Sequence, residues 1–333
     1  MQQIVSLLQS SIWFGTVILY GAMGEILTEK SGNLNLGVPG IMSLGAIGGL
    51  IGSFFYETRV EEPNAAICLL VTLLCALGLS LFGGLIYSFL TITLRANQNV
   101  TGLTLTIFGC GIANFYGSSL NTLAGGVGQI SLPVTSAAFR AVLPGLRETP
   151  ILNTLGWLVY LSILIAIALW YFLSRTRAGL NLRAVGENAA TADAAGINVT
   201  RCKYLSICVG CAISGLGGLY YVMNYIKGTW ASGGSLEALG WLSVALVIFA
   251  RWKPIHAIWG SYLFGVLNWL YFYFADLLGL VGISITMTRS SQEIFKMLPY
   301  VVTILVLIFV SFRRKREDQP PAGLGLPYFR EER

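Results

Sequence analysis

Polar side chains near the start of an otherwise apolar chain are the first residues that could do chemistry. Glu25 is the only Asp, Glu, Lys or Arg inside the nine apolar runs of this 333-residue sequence. An ionisable group within such a run is by default a functional hypothesis, although Glu25 is near enough to the run's end to reach an interface or pair with Lys30. Ser31, Asn33 and Asn35 follow it and supply neutral hydrogen-bonding groups.

The stretch that carries these residues cannot be one continuous helix. Pro39 has no amide hydrogen, and Gly37 and Gly40 lower helix propensity. Irregular backbone at membrane depth is tolerated only where protein or a watery cavity surrounds it. We therefore predict that the four polar residues named above line a pathway for a polar solute, and an ordinary turn at the surface is the alternative.

Two later runs add candidates for the same pathway. Asn99, Thr101, Thr106 and Asn114 lie on or beside the fourth run, where Asn99, Thr106 and Asn114 fall near one helical face. Hydrogen bonding between helices is the alternative for them. Trp241 belongs to a run of about 13 residues, which is too short to cross a membrane alone and predicts a broken helix.

A basic loop at residues 174–203 predicts a different kind of site. Asn188 is a good N-cap, residues 189–195 form helix readily, and Gly196 is a good helix stop. We predict a short helix whose smooth surface docks into a partner's cleft. The candidate docking residues are Glu187, Asn188, Ala189, Ala190, Thr191, Ala192, Asp193 and Gly196.

Catalytic and metal-binding patterns are not found in the sequence. It has no G-x-x-x-x-G-K-[ST] phosphate loop, and a single histidine, His256, cannot complete a triad or a metal site. We therefore expect no enzyme activity, no catalytic residue and no metal site in this chain. The composition, 55% apolar and 11% charged, excludes a soluble enzyme and a nucleic-acid binder.

The elements that must position these residues are membrane-spanning helices. Most of the runs have about the 20 residues that a helix needs to cross the hydrocarbon core, and the run from Ile67 to Leu90 does not alternate as a barrel strand would. We predict an all-α polytopic bundle of about 8 to 10 transmembrane helices with one or two broken or re-entrant segments. We expect residues 1–312 to form one transmembrane domain that includes the cytoplasmic loop 174–203, and residues 313–333 to form a basic, Pro-rich tail.

The distribution of Lys and Arg predicts the orientation, since basic residues near spans are retained in the cytoplasm. Placing Lys30, Arg95, the 174–203 loop, Arg251, Lys253 and the tail on one side puts 15 of the 21 basic residues inside, with the C-terminus cytoplasmic. Nine crossings would put the N-terminus outside, whereas one re-entrant segment before Arg95 would put it inside.

Several motifs together resemble the permease subunits of bacterial ABC importers for nucleosides. Residues 24–42, GEILTEKSGNLNLGVPGIM, are similar to that family's E-[KR]-S-G-x-x-N-L-G-x-E-G pattern. The family's I-T-G-L-A-L motif is similar to residues 100–105, VTGLTL. Its cytoplasmic loop is similar to residues 182–188, LRAVGEN, and 194–199, AAGINV. A further family motif is similar to residues 240–254, GWLSVALVIFARWKP. The sequence departs from the family at two positions: Pro39 stands where the family shows Glu, and Thr106 stands where it shows Asn.

The resemblance implies a multi-pass subunit of the bacterial cell membrane, related to branched-chain amino acid and ribose permeases. It implies three partners: an ABC ATPase that carries ATP and Mg²⁺, a paralogous second permease in a heterodimer, and an extracellular substrate-binding lipoprotein. This chain would hold no cofactor, and residues 187–196 would dock on the ATPase.

The solute implied is a nucleoside, purine or pyrimidine. A simple sugar or a branched-chain amino acid is the alternative within the family. An ion-coupled secondary transporter is a further alternative, in which Glu25 would serve as the coupling acid.

Overall fold

The computed structural model describes residues 2–123, 130–142, 152–231, 234–279, 294, 297–313 and 319–329. The described part of the chain is helical and contains no strand. Its α-helices are α1 (Gln2–Glu29), α2 (Val38–Glu57), α3 (Ala65–Ser88), α4 (Gln98–Leu123), α5 (Pro133–Phe139), α6 (Trp157–Arg175), α7 (Arg177–Glu187), α8 (Ala189–Ala194), α9 (Val199–Tyr220), α10 (Ser235–Phe249), α11 (Pro254–Gly279) and α12 (Leu298–Arg313). One π-helical turn continues α3 (Phe89–Thr93) and another continues α9 (Tyr221–Tyr225).

Six helical segments of the described chain are long and apolar enough to cross a membrane. They are Gln3–Glu29, Val38–Glu57, Ala65–Thr93, Gln98–Leu120, Trp157–Arg175 and Val199–Tyr225. The predicted polytopic helical bundle is therefore confirmed. Helix α10 has 15 residues and rises about 22 Å, so it is too short to span the bilayer alone, as predicted from its apolar run.

Helices α1, α2 and α9 form the centre of the bundle. Their large side chains are among the most buried of the molecule, for example Tyr20 of α1, Met42 of α2 and Tyr220 of α9. Helices α3, α4 and α6 surround this centre and expose large apolar side chains such as Ile107, which is 76% exposed. In a membrane protein such surfaces face lipid or another subunit, so α4 has room for a partner.

Glycine contacts explain how the central helices approach so closely. A Cβ on Gly45 of α2 would overlap the backbone of Gly215 on α9, and a Cβ on Gly24 of α1 would overlap the carbonyl oxygen of Gly210. Small residues let helix backbones touch where a larger side chain would hold them apart. Gly45 of α2 and Gly24 of α1 therefore serve close packing against α9.

The chain between α1 and α2 is irregular and largely buried. Helix α1 extends two residues beyond the predicted run, to Glu29, and α2 begins at Val38 with Pro39 in its first turn, where a missing amide hydrogen costs no helical hydrogen bond. Residues 30–37 between them are not helical, and most are buried. The predicted break is therefore present.

The basic residues at the ends of several helices lie on one face of the bundle, called the basic face below. Lys30, Arg183 and Lys253 line one groove there, and Arg95 and Arg201 line a neighbouring cavity. Residues 319–329 of the tail border both. Because α1 is a single helix, its first residue lies at the opposite end of the bundle, so a cytoplasmic basic face would place the N-terminus outside. The basic residues 314–316 of the tail lie outside the described residues.

Candidate functional site

The irregular segment of residues 30–37 runs back into the bundle beside the last turns of α1. The backbone amide of Asn35 donates to Glu25 Oε1 over 3.1 Å, and the amide of Gly37 donates to Asn35 Oδ1 over 2.9 Å. Thr106 Oγ1 of α4 donates to the Leu36 carbonyl over 2.8 Å. Thr106 lies eight residues after the start of α4, about 12 Å along its axis, so irregular backbone lies well inside the bundle.

Other side chains hold the outer part of this segment. The amide of Leu34 donates to Gln98 Oε1 over 2.8 Å, and Tyr87 Oη donates to the Leu34 carbonyl over 2.5 Å. Ser31 Oγ donates to the Thr28 carbonyl over 2.7 Å and accepts from Asn33 Nδ2 over 2.8 Å. The predicted pathway residues of the segment therefore lie together; Ser31 and Asn35 also hydrogen-bond to local backbone, and Asn33 donates to the Ser31 side chain.

Glu25 and Glu29 place two carboxyl groups at the end of α1, one helical turn apart. Glu25 is 1% exposed and Glu29 is 3% exposed. Glu25 Oε2 has no hydrogen-bond partner among the described residues. The alternative in which Glu25 pairs with Lys30 is not observed, since no ion pair joins the two residues in the described part of the chain. Glu29 Oε2 accepts a hydrogen bond from the indole Nε1 of Trp252. Sequence reasoning missed Glu29 because the apolar run ends before it.

The predicted polar residues of α4 do not share one surface. Thr101 is buried and donates to the Asn97 carbonyl within its own helix, and Thr106 is buried against the irregular segment. Asn99 and Asn114 are exposed instead. Helical spacing places Asn99, Thr106 and Asn114 near one face of α4. Neighbouring elements pack against only part of that face, so Thr106 is buried and the two asparagines are exposed.

Two further candidates lie along the same part of the bundle. Trp241 is half-buried on α10, beside Gly240, where α10 packs directly on Pro39 at the start of α2. Asn114 and Glu237 line a small cleft of about 20 Å³ toward the end of the bundle opposite the basic face. Trp230 also lines this cleft, and its indole nitrogen has no hydrogen-bond partner among the described residues. A volume of this size accommodates about one water molecule.

The predicted docking loop folds as its sequence indicates. Asn188 Oδ1 accepts from the Thr191 amide over 3.0 Å and caps α8, and Gly196 ends the turn with a φ of +84° that favours glycine. Ala192 is buried against Val185 of α7 and Val199 of α9, which fixes α8 to its neighbours. The outward surface of α8 is formed by Ala190, Thr191 and Ala194, with Glu187 and Asn188 exposed beside it and Ala189 and Asp193 half-buried.

The tail packs against this loop, which sequence reasoning did not predict. The Gly323 amide donates to the Gly186 carbonyl over 2.9 Å, and the Gly325 amide donates to the Gly32 carbonyl over 3.2 Å. Tyr328 Oη donates to Asp193 Oδ2 over 2.8 Å. The tail therefore bridges the irregular segment, α7 and α8.

The groove beside α7 contains Lys30 among several charges. Burial lowers the pKa of the Lys30 ammonium group, and the nearby Glu187 carboxylate opposes that shift. Arg183 and Lys253 lower it further, since each places a second positive charge nearby. Among the described residues no group of three or more His, Cys, Asp or Glu side chains could hold a metal ion.

A helical bundle with six potential spans in its described part defines a multi-pass membrane protein, and the irregular polar segment inside it is of the kind found in transporters. The model of the family described as "Branched-chain amino acid transport system / permease component" matches residues 6–307, and the chain belongs to that family. It is a multi-pass protein of the plasma membrane.

Three relatives match most of the chain. A protein of Haloferax volcanii, named as a candidate glucose ABC transporter permease protein, is 32% identical over 92% of both chains. The guanosine ABC transporter permease protein of Bacillus subtilis is 28% identical over 99% of both chains. A nucleoside ABC transporter permease protein of Lactococcus lactis subsp. cremoris is 31% identical over 88% of both chains. No solved structure matched the chain significantly.

Proposed function

We propose that this chain is the permease subunit of an ABC importer and forms the pathway for a nucleoside. The observation that carries the proposal is the near full-length similarity to two permeases named for guanosine and nucleosides. ATP hydrolysis in a separate ATPase subunit supplies the energy. An extracellular binding protein delivers the solute, and the chain itself holds neither ATP nor Mg²⁺.

The α7–α8 loop suits the coupling role. Its exposed alanine and threonine side chains form a shallow surface that a cleft of the ATPase can accept without displacing charged groups. Ala192 joins α8 to α7 and α9 through buried contacts, so a force on α8 reaches a helix at the centre of the bundle. A rigid anchor of this kind favours transmission of ATPase closure to the pathway.

The buried polar segment suits a neutral solute with many hydroxyl and ring-nitrogen groups. Asn33 and Asn35 offer amide groups, and Glu25 Oε2 is an acceptor without a partner among the described residues. A site for such a solute needs a few well-placed polar groups among apolar walls. These side chains meet that need near the end of α1.

A second permease is proposed to cover the exposed surface of α4. Asn114 is exposed there, and none of the described residues hydrogen-bonds to its side chain. A primary amide facing lipid would lose its hydrogen bonds to water without replacement. Placing a paralogous permease against this surface would shield Asn114 and put it beside a path between the two subunits.

A simple sugar is the second candidate solute, because one relative with 32% identity is named for glucose. A branched-chain amino acid is a third candidate, from the family description alone.

Uptake in proteoliposomes decides among these solutes. The chain is reconstituted with its copurifying permease, ATPase and binding protein, and labelled guanosine, glucose and leucine are supplied with ATP inside the ATPase-facing compartment. We expect ATP-dependent uptake of guanosine that unlabelled nucleosides compete for and glucose does not. If glucose were the only solute taken up, the solute would be a simple sugar rather than a nucleoside. Uptake by the chain alone, driven by a proton or sodium gradient, would overturn the ABC assignment.

A further inference from the structure

A second cavity lies on the basic face, at the outer end of the buried polar segment, where Asn33 forms part of its lining. It has a volume of about 650 Å³ and is bounded by the π-helical turn after α3, the first turn of α9 and the tail. Cavities of about 300–1,000 Å³ are the usual size for small-molecule sites. Asp193 and Gly196 of the predicted docking loop also line the cavity, but the proposed docking uses the exposed outer surface of α8 and does not need it.

Lys203 is the residue that distinguishes this cavity from a surface depression. It lines the cavity and is only 4% exposed, and no described residue hydrogen-bonds to or forms an ion pair with its ammonium group, although its carbonyl accepts from Ser206 Oγ. A buried ammonium group without a partner is costly and normally finds a counter-charge. The described part of the chain supplies none, so the geometry leaves room for one from outside.

The rest of the lining also favours an anion. Arg95 and Arg201 add two positive charges, whereas Asp193 is the one acidic side chain and already accepts a hydrogen bond from Tyr328. The first residues of α9, a helix of 22 residues, form part of the wall at Thr200. A helix N-terminus carries partial positive charge, which adds to the attraction for an anion; Asn198 Oδ1 already accepts from the Arg201 amide, so only the amides before Arg201 are open to a ligand.

We infer that this cavity binds a small phosphate-bearing anion, with Lys203 as its central ligand and Arg201 at its rim. Phosphate offers several acceptor oxygens to an ammonium group, a guanidinium group and backbone amides at once. Because Tyr328 of the tail and Asp193 beside α8 share the same cavity, the bound anion holds the tail against the docking loop. The site does not depend on which solute crosses the membrane.

Thermal unfolding of the full-length chain, with its copurifying subunits in phosphatidylcholine nanodiscs, tests this site. Potassium phosphate is titrated against potassium chloride of equal ionic strength, which removes the effect of screening. We expect the unfolding temperature to rise with phosphate concentration and not with chloride. Lys203→Gln should weaken the apparent affinity for phosphate by roughly tenfold or more, since a charged hydrogen-bonding partner is lost.

Two further variants keep the test decisive. Arg201→Gln changes an exposed side chain, so it should fold even if Lys203→Gln does not, and it should weaken phosphate binding by roughly threefold to tenfold. Lys227→Gln removes an exposed lysine outside the cavity and should leave the phosphate response unchanged. An equal phosphate response in wild type, Lys203→Gln and Arg201→Gln would overturn the site.

A lipid arm identifies the source of the phosphate. The titration is repeated in nanodiscs that contain phosphatidylglycerol. If wild type still responds to free phosphate in these nanodiscs, the occupant is a soluble phosphate compound. If the wild-type response disappears and the Lys203→Gln variant shows no response either, a lipid headgroup occupies the site. The absence of any phosphate response in both lipid mixtures, with equal wild-type and Lys203→Gln stability, would contradict the inference.

Discussion

Trp252 and Glu29 form the contact that best explains how a carboxylate is held inside the bundle. Trp252 has a φ of +54°, a conformation that bulky residues rarely adopt, and it donates its indole hydrogen to Glu29 Oε2. Such strain persists only where surrounding contacts compensate for it. Composition identified Glu25 as an unusual acid, but it could not reveal the partner of Glu29, because the two residues are 223 positions apart.

Replacing Trp252 by Phe removes the donor while keeping most of the ring. We expect the free energy of unfolding in detergent to fall by about 1–3 kcal/mol, since a buried acceptor loses its partner. Trp259→Phe is the matched control, because Trp259 is 76% exposed and should change stability by less than about 0.5 kcal/mol. Equal losses in the two variants would contradict the role of the hydrogen bond.

At the scale of elements, local signals were predictable and distant ones were not. The cap at Asn188 and the stop at Gly196 act through hydrogen bonds within a few residues, so the sequence predicts α8 closely. The break before α2 follows from Pro39 in the same way. The packing of the tail on the loop depends on backbone contacts such as Gly323 with Gly186, which no local pattern encodes.

The contact between α2 and α9 gives the prediction at this scale. Gly45→Ala adds a methyl group that overlaps backbone of α9, so we expect a loss of about 1–3 kcal/mol or a loss of folded protein. Gly78→Ala on α3 meets no atom within 4 Å and should be neutral or stabilising by about 0.5–1 kcal/mol. The stability of both variants is measured by thermal unfolding and by the yield of monodisperse protein. Similar stability of the two variants would show that α2 and α9 do not approach at Gly45.

At the scale of the whole molecule, the proposed function assigns separate tasks to the polar interior and the basic face. The interior presents buried amides, hydroxyls and carboxyl groups around an irregular segment, and the basic face presents α8 and the tail. The bundle and the docking helix could be predicted from composition and capping. The neighbours of the α4 polar residues could not, because a helical wheel does not show which part of its surface other helices cover.

In the proposed function, an external ATPase drives the pathway through α8. Ala190 is exposed on α8, so Ala190→Arg should obstruct docking without disturbing the buried contacts of Ala192. Ala65→Arg, at an exposed position at the start of α3 away from the basic face, is the matched control.

The most direct measurement is ATP-dependent guanosine uptake by the reconstituted complex with each variant, alongside the amount of folded permease in the membrane. We expect Ala190→Arg to remain folded and to lose uptake by roughly tenfold or more, while Ala65→Arg transports like wild type. Full uptake by the Ala190→Arg complex would contradict the coupling role of α8.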